Sequence, residues 1–171
     1  TLLNVLQVGK FLPPPYAGIE AHVEQLITTL QPEIACELMV AQLGWRRRAA
    51  TPRPYPVHAV RTLATVASTP LCPAMPWQLR HWSKQHPGAI VHVHLPNPMA
   101  DLSSQALPRD TPLVLTWHSD IVRQIRLLKL YWPLLRRLLA RADRVIAFTP
   151  QHITSSTQLG GVPADKLRVV P

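Results

Sequence analysis

The chain has 171 residues, 47% of them hydrophobic, which suits one well-buried core and a single domain. No run approaches the ~20 apolar residues of a membrane-spanning helix and no signal peptide is visible, so the chain reads as soluble and cytosolic; two cysteines, Cys36 and Cys72, are too few for a disulfide framework or a zinc site and read as buried or loop thiols. The net charge of +9 is uneven, with no acidic residue from Leu38 to Ala100 or from Ile121 to Ala142, and such surfaces attract polyanions: phosphorylated ligands, anionic lipid head groups or nucleic acid.

The first apolar run, Leu2–Val8, suits a strand covered on both faces. It leads into a Pro/Gly loop ending at Gly18, after which Ile19, Val23, Leu26, Ile27 and Leu30 recur at helical spacing until Pro32. Ile34–Ala41 is a second strand. The next thirty or so residues are Pro-rich, with a short strand at Val57–Val60 and a helix near Trp77–Gln85. Ala89–Val93 is a strand, and a helix runs from Asn97-Pro98 through Leu107. Strands at Leu113–Trp117, Val145–Thr149 and Leu167–Val170 complete the set, with helices at about Ile121–Ala140 and Gln151–Leu159. This alternation predicts an α/β, Rossmann-like, mostly parallel sheet with helices on both faces. The chain starts on the edge of a strand and stops just after another, as a trimmed fragment would.

Ligands of such sheets bind where loops leave the carboxyl ends of the strands. Four of those loops carry unusual polar content: Gly9–Gly18, His94–Asn97, His118–Asp120 and Thr149–His152. Gly18 either relieves a tight turn or lets backbone approach a ligand, and the free N–H groups of the helix start favour an anion such as phosphate. His92 and His94 face the same way on their strand, and with His118 and Asp120 they have the donor types of a metal site. Because His92 should sit inside the strand and the spacing places no third ligand, metal binding is the minor reading, and His94 at the strand exit reads better as lining a polar pocket. His118 is either a satisfied structural histidine or a site residue, Asp120 either a site residue or a helix cap, and Asn97 either a pocket residue or a helix start. Arg46–Arg48 read as a solvated loop.

Within Ile121–Arg141, Arg126, Lys129, Arg136 and Arg137 project to one side and Ile125, Leu128, Trp132, Leu135 and Leu139 to another. This fits a basic amphipathic helix on a membrane surface and equally a core-packed helix with an Arg-rich solvent face; Pro133 would kink it or divide it in two. Several chemistries are set aside. The chain has no G-x-G-x-x-G after the first strand and no acid at the end of the second, no phosphate loop ending in Lys-Ser/Thr, no G-x-S-x-G elbow and no paired carboxylates at hydrolase spacing. The aromatic-interleaved basic sheet of RNA binders and any DNA-reading motif are missing as well. A polyanion-binding module or a purely regulatory Rossmann-like domain remains the alternative to an enzyme.

Five stretches in order carry a resemblance: residues 15–24 (Pro-Tyr-Ala-Gly-Ile-Glu-Ala-His-Val-Glu), 90–98, 113–120 (Leu-Val-Leu-Thr-Trp-His-Ser-Asp), 141–150 and 166–171. Together they resemble the N-terminal half of a group 1, family 4 retaining glycosyltransferase, a class built from two Rossmann-like domains in the GT-B arrangement. The resemblance implies that residues 1–171 form one N-terminal domain and that the nucleotide-recognising C-terminal domain, with its Arg/Lys pair and E-x7-E element, is absent. It implies that Ala17 and Gly18 approach the donor diphosphate and sugar, Ala17 replacing the first of the family's two glycines. His118 would be the catalytic contact to the transferred sugar, and His94 would border the acceptor pocket. Asn97, Asp120 and Thr149 are carried as further substrate-binding candidates from the converging loops. No metal or other cofactor is expected, and fixed donors and cations would stabilise the leaving diphosphate. The expected partners are a nucleotide-sugar donor, a lipid-linked or polysaccharide acceptor, an anionic membrane surface at the inner face and the missing domain, with no nucleic acid. The fragment alone is expected to be inactive.

Overall fold

A computed structural model describes residues 2–12, 17–43, 52–121 and 125–171, with side chains from residue 129 onward in the last stretch. Tyr16, the prolines at 13–15, Arg46–Arg48 and the side chains of Ile125, Arg126 and Leu128 lie outside the described residues. The elements in order are β1 (Leu3–Phe11), α1 (Gly18–Leu30), β2 (Ile34–Gln42), β3 (Val57–Arg61), β4 (Ala64–Val66), β5 (Thr69–Leu71), α2 (Met75–Gln85), β6 (Ile90–Leu95), α3 (Pro98–Ser104), β7 (Leu113–Trp117), α4 (Ile125–Arg141), β8 (Arg144–Ala147), α5 (Pro150–Ser155) and β9 (Leu167–Val169), with one 3-10 turn at Ala164–Lys166.

Seven strands form one parallel sheet in the order β3-β2-β1-β6-β7-β8-β9, as the strand-helix alternation predicts. The order reverses between β1 and β6, the topological switch point at which such sheets open a crevice. Alternation along each strand builds two cores. Leu6, Val8, Met39, Ala41, Val91, Val93, Leu113 and Leu115 face one side with α2 and α4, and Val5, Cys36, Leu38 and Val40 face the other beneath Val23 and Ile27 of α1. Both cysteines are buried and free.

Differences from the sequence reading have local causes. β1 runs on to Phe11 through an irregularity between Val8 and Phe11, where Gly9 lies so close to Val40 that a Cβ would sit 3.1 Å from its Cγ1. The β4–β5 hairpin has no turn signature because Ala67 and Ser68, rather than Asn-Gly, take positive φ of 48° and 61°. α3 ends before Leu107: Ser103 and Ser104 donate their hydroxyls to the Met99 and Ala100 carbonyls, and the turn tightens at Gln105. α5 stops at Ser155 because Ser156 is extended and donates to Asp120. α4 is one helix with Pro133 inside it, not two.

Candidate functional site

The period of two along each strand decides which side chains meet. On β6, Val91, Val93 and Leu95 enter one core, so His92 and His94 point to the α1 side; on β7, Leu115 and Trp117 do the same and send Thr116 and His118 to that side. Gln7 on β1 pairs in register with His92, and His94 with Thr116. The carboxyl-terminal ends of the three central strands therefore lay a polar strip under the first turns of α1. His22, one helical turn after Gly18, reaches down onto it: its ring centroid lies 5.0 Å from that of His118 and 5.8 Å from that of His94. Phe148, just past β8, packs edge-on against both His22 and His118.

Hydrogen bonds fix the strip. Gln7 Oε1 can only accept, so His94 Nε2–H donates to it at 2.8 Å, leaving Nδ1 as the lone pair. His118 Nε2–H then donates to His94 Nδ1 at 3.2 Å. His92 Nε2 meets Thr116 Oγ1 at 2.7 Å. Burial, reinforced by neighbouring imidazoles, pushes His92 and His118 each down to about 4 and His94 well below its ordinary value; burial also lowers His22. At neutral pH the cluster is a set of uncharged imidazoles, able to give and accept hydrogen bonds without adding charge.

The candidates from the sequence separate into two groups. Ala17, Gly18 and His118 gather at the carboxyl edge with solvent access. Ala17 is extended with no side-chain cap on α1, so the N–H groups of the first turn face outward. Among the described residues a Cβ at Gly18 would meet nothing within 4 Å, and its φ is not left-handed, so its backbone conformation does not demand glycine. The other four hold the scaffold. His94 is fully buried and hydrogen-bonded to the partly buried His118. Asn97, also buried, caps α3 by accepting from Ala100 N and donates Nδ2 to Gly9 O at 3.0 Å, tying the exit of β6 to that of β1. Asp120 accepts from Trp117 Nε1, Ser156 Oγ and the backbone N–H of Thr157, which uses up its carboxylate in clasping the β7 exit to the chain after α5. Thr149 caps α5 by accepting from His152 N.

His22 and Gln7 were not anticipated. The signals were present: His22 is four residues from Gly18, and Gln7 is a lone amide inside a buried apolar run. His22, His94 and His118 each bring one ring nitrogen to within 4.8 Å of the others. Asp120 takes no part in that set. A separate concavity of about 320 Å³, bordered by Lys84, His86, Gly88 and Asp110, opens where the chain enters β6 and β7, at the opposite end of the strands.

Comparison with known proteins identifies the family and the fold. The chain is 32% identical to O-antigen chain mannosyltransferase C of Escherichia coli over 174 aligned residues, covering 99% of the chain and 45% of that protein. It is 37% identical to D-rhamnosyltransferase WbpZ of Pseudomonas aeruginosa over 103 residues, covering 60% of the chain and 26% of that protein. The chain thus spans less than half the length of these curated relatives. Among solved structures, the apo form of the lipopolysaccharide outer core galactosyltransferase WaaB superposes with a TM-score of 0.64 at 15% identity, covering 98% of this chain and 45% of that one. A glycosyltransferase from Rickettsia africae does so with 0.57 at 14%, covering 99% and 42%, so the Rossmann-like fold is shared. The model of Glycosyltransferase Family 4 matches residues 16–171, and the chain belongs to that family.

Proposed function

We propose that this chain is the N-terminal, acceptor-side domain of a retaining glycosyltransferase that moves a hexose from a nucleotide-sugar to a lipid-linked or polysaccharide acceptor of the cell envelope. The observation that carries the reading is the contact of His22 with His118, which brings the open first turn of α1 against the exit of β7. Diphosphate charge is favoured at that turn by outward N–H groups and the positive end of a 13-residue helix. His118, one bond away from the buried His94–Gln7 pair, would hold a hydroxyl of the transferred sugar in fixed orientation. A neutral imidazole suits this task, because it adds no charge that would bind the departing diphosphate too tightly.

The two curated relatives are an O-antigen chain mannosyltransferase and a D-rhamnosyltransferase, and their greater length supports a second, nucleotide-recognising domain in the whole protein. In this reading the transfer needs no metal or other cofactor, residues 1–171 alone transfer nothing, and no nucleic acid is a partner. The basic excess would hold the enzyme at an anionic membrane from the cytoplasmic side; no helix among the described residues is long and apolar enough to cross one.

The test is His118→Ala in the full-length enzyme, with release of free nucleotide measured across a panel of nucleotide-sugars. The expected result is a fall in kcat of roughly 10²-fold with an unchanged circular dichroism spectrum, in line with the loss of a contact that positions the sugar. Full transfer rates in that variant would refute the site. A protein that releases nucleotide from no sugar donor at all would be a regulatory domain instead.

A further inference from the structure

Three imidazoles from three different elements, converging without a carboxylate among them, make an arrangement that sugar binding does not require. His94 Nδ1 and His118 Nε2 stand 3.2 Å apart. Two nitrogens on a tetrahedral ion at ~2.0–2.1 Å each would lie about 3.3 Å apart, so this edge already has the spacing of a metal site. His22 brings the third nitrogen within 4.8 Å of both, from a half-buried side chain on a helix surface that can close the remaining gap by rotation. Behind the ligands, Gln7 Oε1 holds the His94 Nε2–H, which fixes the ring and keeps Nδ1 turned toward the cluster, as outer partners of metal-bound histidines do. Ala17 and Gly18 are exposed, and His22 and His118 are only partly buried, which gives an ion a way in.

We propose that His22, His94 and His118 form a binding site for a late first-row transition metal of the zinc class. An all-nitrogen set favours Zn2+, Co2+, Ni2+ or Cu2+ and offers nothing to Mg2+ or Ca2+, which need oxygen ligands. The ion binds reversibly. It occupies the ring of His118 and the space above it, so it excludes the donor sugar and acts as an inhibitor of transfer; this consequence rests on the function proposed above, whereas the site itself does not.

Metal-stripped full-length enzyme is titrated with Co2+ as a visible probe and with Zn2+ in equilibrium dialysis. The expected result is one equivalent bound with the absorption of a tetrahedral Co2+ complex, displaced by Zn2+. Affinity should fall at least about 100-fold in His22→Ala and by about 10–100-fold in Gln7→Leu, which removes a partner behind a ligand without touching the ligands. Folding of each variant is checked by circular dichroism, and His22 is the safer change because it lies half-exposed on α1. Absence of stoichiometric binding, or binding that His22→Ala leaves unaltered, overturns the site. Zn2+ bound through these rings while transfer continues at full rate keeps the metal site and overturns the placement of the sugar at His118.

Discussion

At the scale of single residues, Gly18 separates structural need from ligand need. Its backbone is not left-handed and an added Cβ would touch none of the described residues, so the fold they form gains nothing from glycine there. Gly18→Val should therefore change unfolding free energy by no more than about 0.5 kcal/mol. If the backbone here approaches the donor, the same change in the full-length enzyme should raise donor KM roughly tenfold, the worth of one hydrogen bond to a charged group. Parallel urea unfolding and steady-state kinetics check both halves; an unaltered KM removes Gly18 from the donor site. The placement of His118 and Gly18 at the carboxyl edge of the sheet was legible in the sequence because strand ends and helix starts are marked locally. The scaffold roles of Asn97 and Asp120 were less so, because their partners, Gly9 O for one and the Ser156 hydroxyl and Thr157 N–H for the other, lie far along the chain. His22 was not legible because no loop marks it: its contact with His118 arises from helix periodicity acting across a gap between layers.

Among the elements, strands were the easiest to read: β7 is where its apolar run predicts, and every strand of the main sheet was anticipated within a few residues. Helix ends were harder, since serine side chains and one aspartate decide where α3 and α5 stop. The β4–β5 hairpin escaped because its positive-φ residues are ones that rarely advertise a turn. In α4 the core-packed reading holds for the described side chains: Leu135, Leu138 and Leu139 are buried, Arg136 and Arg137 face solvent, and Arg141 donates to the carbonyls of Ser104 and Pro108. Leu130, by contrast, is 83% exposed beside Lys129. Leu138→Ala should cost about 2–5 kcal/mol by opening a cavity against the sheet, whereas Leu130→Glu should leave stability within about 0.5 kcal/mol. If α4 also rests on a membrane, Leu130→Glu should reduce sedimentation of the full-length protein with anionic vesicles at low salt, because it removes an apolar anchor and adds a repelled charge. Equal sedimentation of the two proteins would assign the helix to the core alone.

For the molecule as a whole, placing uncharged imidazoles between α1 and the sheet links function to stability. His92 is buried and its imidazole is pushed down to about 4 from an ordinary value of 6.5, chiefly by desolvation and then by the rings of His22 and His118. The unfolded chain takes up a proton at this residue as pH falls through 6.5, while the folded chain resists until about 4. Its contribution is therefore present in full above 6.5 and is lost progressively as pH drops from 6.5 to 4; over that window it amounts to something on the order of 3 kcal/mol. His118 acts in the same direction, and Glu37 adds a later step. Burial opposes its charge, but hydrogen bonds from His58 and Trp82 outweigh that and hold the carboxyl below its ordinary range, so this contribution is lost as pH falls further through the lowered value. The full-length protein, kept with a chelator so that no metal intervenes, should lose unfolding free energy steadily between pH 6.5 and 4, before most carboxylates titrate. His92→Gln, which cannot take up a proton, should flatten that early part of the curve even if it lowers stability at pH 7. A curve that stays level to pH 4.5 in the unaltered protein would mean that the buried rings are protonated in the fold, and with them the charge balance assigned to the sugar site would have to be reversed.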